Sequence, residues 1–339
     1  MTATAEVEGA AQEPDRPSGG VGRDGETRRT VWVALAANLV ISVAKAIGGV
    51  VAASPALLSE AAHSIADSLN EVFLLASLKR SRRPADARHP FGYGMERFFW
   101  SLLAAVGIFV TGGCFSVFQG IEAFRSGGSE SRHGYVIGLV VLVVALAAEG
   151  ASLARALLQV RRAARAEGRS MAAEVRAGRD PALRTVLAED STACAGVLLA
   201  IAGIVLHMVT GEIAYEACAS ILIGVLLIYV AYTLGRAARV QLVGEAADPG
   251  VQRQVREFLV RQPEIDSVTA LLTMRLGPDS VMVAARIDLT PGYDSEAVED
   301  AMVRIRREVR GRWHELDQVF LDVTDAAATR QGAAADGHP

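Results

Sequence analysis

Apolar residues gather in long blocks between about residue 31 and residue 243, and both ends of the chain are polar. A bilayer core of about 30 Å needs roughly 20 apolar residues in helical form. Six stretches are candidates: about Val31–Val51, Pro55–Leu78, Phe98–Phe118, Tyr135–Leu158, Leu183–Val209 and Ile213–Leu234. The second and fifth are the weakest by hydropathy. They are included because their polar residues cluster on one face, as a lined pathway requires.

After Gly244 the period changes. Asp248 can cap a helix with Val251, Val255, Phe258 and Leu259 on one face. A strand follows around Ser267–Arg275, then a Gly277-Pro278-Asp279 turn. Val281, Val283, Ala285, Ile287 and Leu289 then alternate with Met282, Ala284, Arg286 and Asp288, the period of a half-buried strand. Asp294 or Ser295 can cap a second helix with Val298, Met302, Ile305 and Val309 inward, and Val319, Leu321 and Val323 share one side of a last strand. One antiparallel sheet backed by two helices is the expected solution. The predicted fold is thus an α-helical integral membrane protein with six transmembrane helices and a C-terminal α+β domain (αββαβ, ferredoxin-like). The expected organisation is a disordered tail over 1–29, a membrane domain over 30–243, a cytoplasmic domain over 244–325 and a second disordered tail over 326–339.

Composition agrees with this division. The 339-residue chain is 51% hydrophobic, with a mean hydropathy of +0.28. Its net charge of −4 argues against nucleic acid as a partner. Cys114, Cys194 and Cys218 all lie in apolar blocks and read as buried small residues rather than a disulfide framework. The first 28 residues lack the apolar run of a signal peptide. Lys79, Arg80, Arg82, Arg83, Arg88 and Arg97 lie between the second and third stretches. Arg161, Arg162, Arg165, Arg169, Arg176, Arg179 and Arg184 lie between the fourth and fifth. On the opposite side Ala52–Ser54 carries no charge and Gly211–Ile213 only Glu212, so the positive-inside rule places both termini and both basic loops in the cytoplasm. That pattern suits a bacterial inner membrane.

The second stretch carries Glu60, His63, Asp67, Asn70 and Glu71, whose steps of three and four fall on one helical face. His63 and Asp67 stand at i and i+4, the spacing by which a helix presents an imidazole nitrogen and a carboxylate to one ion. In the fifth stretch Asp180 can cap, with Pro181 in the first turn. Glu189 and Asp190 follow inside, and Cys194 lies one turn beyond. Two helices can therefore supply His63, Asp67 and Asp190, with Glu189 as a further candidate. That donor set suits Zn²⁺, and also Mn²⁺, Fe²⁺ or Co²⁺. A single polar residue in such a helix can equally serve helix–helix hydrogen bonding. The pairing of His63–Asp67 with a second acidic pair favours an ion site, and packing remains the simpler role for Cys194. Glu149 and Glu216 are further intramembrane acids, either of which could tune the site or pair with Lys45.

The run Ser59-Glu-Ala-Ala-His63-Ser-Ile-Ala-Asp67-Ser-Leu-Asn70 resembles the second transmembrane helix of cation diffusion facilitators, and His89-Pro-Phe-Gly-Tyr-Gly94 resembles the loop motif after it. The resemblance covers about residues 30–325. It implies a homodimer that exports divalent cations in exchange for protons, with two ligands from helix two and two from helix five. Helix two carries over onto His63 and Asp67. In helix five the usual pattern is His or Asp, three residues, then Asp. Asp190 takes the second position, Val186 falls on the first, and Glu189 stands beside Asp190. The stretch Leu187-Ala-Glu-Asp-Ser191 is similar to the branch that includes mitochondrial zinc-transporter relatives. In the loop, Tyr93 stands where a second His is common, leaving Asp86 and His89 as a depleted site. The C-terminal domain offers only His314, Asp322 and Asp325 as donors and is read as a dimerisation module. His133 and His207 are expected at the external ends of spans, and His338 in the tail. No prosthetic group is expected and no enzymatic activity: the metal is cargo. The rival readings are a non-transporting metal-dependent scaffold or sensor, and an intramembrane hydrolase with Glu189 as its general base. No His-Glu-x-x-His motif supports the latter.

Overall fold

The computed structural model describes residues 21–126, 132–166, 168, 170–172 and 181–324. The expected tail over 326–339, Asp325, His338, the Asp180 cap and Arg169, Arg176 and Arg179 lie outside the described residues, as do the side chains of His133 and Arg184.

The first part of the chain is helical: α1 (Val21–Ala52), α2 (Pro55–Arg80), α3 (Glu96–Gly107), a π-helical stretch (Ile108–Cys114), α4 (Phe115–Ser126), α5 (Arg132–Ala166), α6 (Pro181–Thr210) and α7 (Ala214–Gly244). The helix α1 starts ten residues before the expected span. Residues 21–29, expected in the disordered tail, are therefore helical, and residues 1–20 lie outside the description. Among the described residues, four helical stretches are long and apolar enough to cross a membrane: Glu96–Ser126, Gly134–Arg165, Leu187–Thr210 and Ala214–Val260. Helix α1 adds a shorter apolar run, Asn38–Ala52. Helix α2 misses that standard because of the polar face noted above. Large apolar side chains cover the outside of the bundle, among them Val50, Val144, Val209 and Tyr229 at 72%, 63%, 80% and 65% exposure. Water would oppose so broad an apolar surface, and hydrocarbon chains would match it.

The helix ends follow local chemistry. Ser54 caps α2, accepting from the Leu57 N–H, and Pro55 fills the first turn, where its missing N–H costs nothing. Lys79 and Arg80 sit in the last turn, where the helix dipole favours cations. Small residues let the π-helical stretch and α4 approach α7 closely. A Cβ at Gly224 would come within 2.9 Å of the Gly113 carbonyl oxygen, and one at Gly120 within 2.7 Å of the Ala217 carbonyl oxygen. The bundle core includes Leu57, Ala66, Ile108, Leu142, Val197, Ile204, Ile223 and Leu227.

The last part comprises α8 (Pro249–Val260), β1 (Ile265–Gly277), β2 (Ser280–Leu289), α9 (Ser295–Arg312) and β3 (Gln318–Val323). Asp248 caps α8 through the Gly250 N–H, and Asp294, one of the two candidates, caps α9 through the Ala297 N–H. The sheet order is β1-β2-β3. Strands β1 and β2 form an antiparallel hairpin closed at Gly277↔Ser280. Strand β3 runs parallel to β2, with Val283 opposite Val319. The sheet is therefore mixed, which corrects the expectation of a wholly antiparallel one. Helix α9 lies between β2 and β3 and carries the chain back to the starting end, as a parallel pair requires. Val281, Val283, Ala285 and Ile287 are buried against Val255, Leu259, Met302, Ile305 and Val309.

Candidate functional site

A line of polar side chains runs along α2, from the α1–α2 turn toward the basic loop after Arg80. At 1.5 Å per residue, Glu60 and Asp67 stand about 10 Å apart along the axis. His63 is buried, and its Nε2 lies 3.5 Å from Asp67 Oδ2. Its Nδ1 faces Glu60 Oε1 at 3.8 Å, too long for a hydrogen bond. On α6, Gly196 opposes this pair: a Cβ there would collide with Glu60 Oε1 and stand 3.4 Å from His63 Nδ1. A residue without a side chain thus lets the α6 backbone reach the polar face of α2.

The acidic pair of α6 lies nearby. Asp67 interacts electrostatically with Asp190, and Glu189 with both Asp67 and Asp190. The two neighbours are not equivalent. Glu189 Oε1 accepts from Asn70 Nδ2 at 3.1 Å. Asp190 faces Ser152 and Arg155 of α5, and its Oδ2 is buried without a hydrogen-bond partner. Among the described residues no three His, Cys, Asp or Glu side chains already stand together at metal-holding distances. His63–Asp67 is preformed by helical spacing, and the α6 donors are adjacent rather than converged. Glu71 accepts from Asn38 Nδ2 at 2.8 Å, at the end of the line nearest the basic loop.

Two buried clusters were not resolved by sequence reasoning. Lys45 Nζ donates to Glu60 Oε2 at 3.0 Å, Ser64 Oγ at 3.0 Å and Glu149 Oε1 at 3.1 Å. Of the two acids that could pair with Lys45, Glu149 does. Glu216 goes elsewhere: it meets His207 Nδ1 at 2.6 Å and accepts from Ser54 Oγ, while Tyr135 Oη lies 3.1 Å from His207 Nδ1. His207, expected at an external helix end, is near the end of α6 but buried and bonded. The only sequence signal for these clusters is the rarity of charge in an apolar helix.

The depleted loop site is spent on the loop itself. Asp86 Oδ1 accepts from the Arg88 and His89 N–H groups at 2.9 and 2.7 Å, and Asp86 Oδ2 from the Tyr93 hydroxyl at 2.7 Å. The Tyr93 hydroxyl, followed by the His89 amide, holds the Asp86 carboxyl below its ordinary value, and the same bond raises the Tyr93 phenol. The loop docks on the C-terminal sheet: Phe91 meets Phe320 edge-on at 6.4 Å, and Gly94 packs against Leu276 and Gly277. In the C-terminal domain, Asp322 pairs with Arg286 at 3.3 Å, and His314 is exposed after α9.

Comparison with known proteins agrees with this layout. Residues 31–243 match the cation efflux transmembrane domain. The chain is 34% identical to metal tolerance protein C4 of Arabidopsis thaliana, over 78% of this chain and 58% of that one. It is 30% identical to the mitochondrial proton-coupled zinc antiporter SLC30A9 of Xenopus laevis, over 77% of this chain and 46% of that one. The human SLC30A9 protein is 28% identical, over 91% and 55%. The chain therefore spans about half the length of these relatives. With its apolar helices, its polar line on α2 and the matched domain together, this chain is a multi-pass membrane protein of the cation diffusion facilitator family.

Proposed function

We propose that the chain exports a divalent cation, Zn²⁺ before Mn²⁺, Fe²⁺ or Co²⁺, by proton antiport through His63, Asp67 and the α6 acids Glu189 and Asp190. The carrying observation is His63 Nε2 and Asp67 Oδ2 held 3.5 Å apart on one helical face, the imidazole buried and the carboxylate part-exposed, beside two acids of α6. The unpartnered Asp190 Oδ2 adds to it, because a buried carboxylate oxygen without a donor is costly and a cation would satisfy it. Two relatives described as proton-coupled zinc antiporters support the choice of metal and of exchange.

In this reading six helical spans cross the membrane, with both termini and the ferredoxin-like αββαβ domain in the cytoplasm, and two copies of the chain work as a homodimer. The basic residues from Lys79 to Arg97 favour that orientation. The metal enters from the side of Glu71 and Asn70 and binds deprotonated carboxylates and neutral imidazole, so loading releases protons. A movement of α6 against α2 would bring Asp190 onto the ion and then open the site outward. Protons arriving from outside compete for the same donors. The imidazole of His63 suits that exchange, because its ring nitrogen can hold either the metal or a proton and not both. The test is metal flux into proteoliposomes under a pH gradient, native against Asp67→Ala, for Zn²⁺, Mn²⁺, Fe²⁺ and Co²⁺. Flux that follows the proton gradient and needs Asp67 is the expected result. A folded protein that moves no ion would be a metal-dependent scaffold or sensor instead.

A further inference from the structure

The Lys45 ammonium sits in the bundle as a bound ion would. Its three donors are all used, on Glu60 Oε2, Ser64 Oγ and Glu149 Oε1, at 3.0, 3.0 and 3.1 Å. The residue is 1% exposed and Glu60 is 0% exposed. The carboxylates are not exhausted by the lysine. Glu60 Oε1 and Glu149 Oε2 are buried without hydrogen-bond partners, and Glu60 Oε1 points at His63 Nδ1 from 3.8 Å. Two carboxylates surround one positive charge, so the cluster carries an excess negative charge that a divalent ion would match better. Its donors, carboxylate oxygens with a hydroxyl and an imidazole nitrogen beside them, are those of a Zn²⁺ or Mn²⁺ site.

We infer that Glu60 and Glu149, with His63 at the edge, form a second divalent-cation position that the tethered ammonium of Lys45 keeps filled. The position lies about one helical turn beyond His63, away from the basic loop. An ion that passed His63 would meet two carboxylates in a low-dielectric interior and would be held there. A transport path works only when binding is weak enough to release. The lysine removes that trap: its charge stays on a side chain that cannot leave, so a metal remains at His63 and Asp67. The inference rests on the transport reading for its physiological meaning, and its test does not depend on flux.

The test is Zn²⁺ bound per protomer by the full chain in lipid nanodiscs, from equilibrium dialysis with elemental analysis. The native chain is expected to bind one ion and Lys45→Met two. Lys45→Met/Asp67→Ala should keep one, at the new position. Lys45→Met/Glu60→Gln/Glu149→Gln should return to one, at the original position. A folded Lys45→Met that binds no more Zn²⁺ than the native chain overturns the inference. A native chain that binds none faults the transport reading, and the gain of one ion in Lys45→Met, or its absence, still decides this one. Should Lys45→Met need Zn²⁺ in order to fold, the metal has replaced the ammonium and the inference stands. Should it stay unfolded in Zn²⁺ while the triple variant folds, the cluster is only an ion pair and the inference falls.

Discussion

Asn70 of α2 donates from Nδ2 to Glu189 Oε1 of α6 across 3.1 Å, while the adjacent Asp190 keeps Oδ2 buried and unpartnered. Neighbouring acids on one helix point about 100° apart, so one can brace α2 while the other waits for an ion. Glutamine at 189 keeps the acceptor that Asn70 needs; asparagine at 190 removes a charge a cation would use. Zn²⁺ affinity should therefore fall by about threefold or less in Glu189→Gln. In Asp190→Asn it should fall by about tenfold or more, at 1.4 kcal/mol per decade. Calorimetry on the purified protein would read this, and equal losses would show that Glu189 binds the ion as directly as Asp190.

The contact of the loop with the sheet depends on Gly94. A Cβ there would lie 2.5 Å from the Leu276 carbonyl oxygen and 3.0 Å from Gly277 Cα, both backbone atoms with little room to yield. Gly94→Ala should cost about 1–3 kcal/mol in thermal unfolding, the range for overpacking. It should also raise hydrogen exchange in residues 86–94. Unchanged exchange there would mean that loop and sheet are not docked in solution.

Asp86 gives a pH dependence of known sign. Its carboxyl is held below the ordinary value by the Tyr93 hydroxyl first and the His89 amide next. A depressed carboxyl stabilises the folded loop fully above the ordinary value of about 3.9, and that contribution is lost as pH falls through the folded value. Loop order should thus be constant from about pH 5 to pH 8 and decline only in stronger acid. In Tyr93→Phe the Asp86 carboxyl should titrate closer to 3.9, as a carboxyl-carbon NMR titration would show. An unmoved Asp86 in that variant would remove the hydroxyl as the main cause.

Glu216 joins three elements. It meets His207 of α6 and Ser54 at the start of α2, and itself belongs to α7. Glu216→Ala strands a buried hydroxyl and leaves His207 with Tyr135 alone, and each stranded group costs about 1–3 kcal/mol. A loss of about 2–4 kcal/mol in detergent unfolding is expected, with Glu216→Gln milder because an amide oxygen still accepts. Equal stability of both variants would mean that water replaces the carboxylate at that end.

The elements that sequence made legible are those with local causes. The alternation from Val281 to Ile287 predicts a half-buried strand, and those residues are buried in β2. His63 and Asp67 were legible as a pair because four residues along a helix are neighbours in space. Lys45, Glu60 and Glu149 were visible only as costly charges. The lysine reaches partners 15 and 104 residues away, and no period in the chain reports that. The direction of β3 was missed for a related reason: alternation gives a strand its faces but not its neighbour's direction. That follows from α9, which must be crossed to reach it.

The chain by itself determined that long apolar helices line up before an αββαβ unit, and that α2 presents a polar stripe. Both follow from periods that any helix or strand imposes on its own residues. Tertiary packing alone decided which acids became partners. Burial makes an unpaired charge expensive, so each of Lys45, Glu189 and Glu216 took the counterpart that the helix arrangement brought within about 3 Å. Among the described residues, one carboxylate oxygen each of Asp190, Glu60, Glu71 and Glu149 was left buried without one.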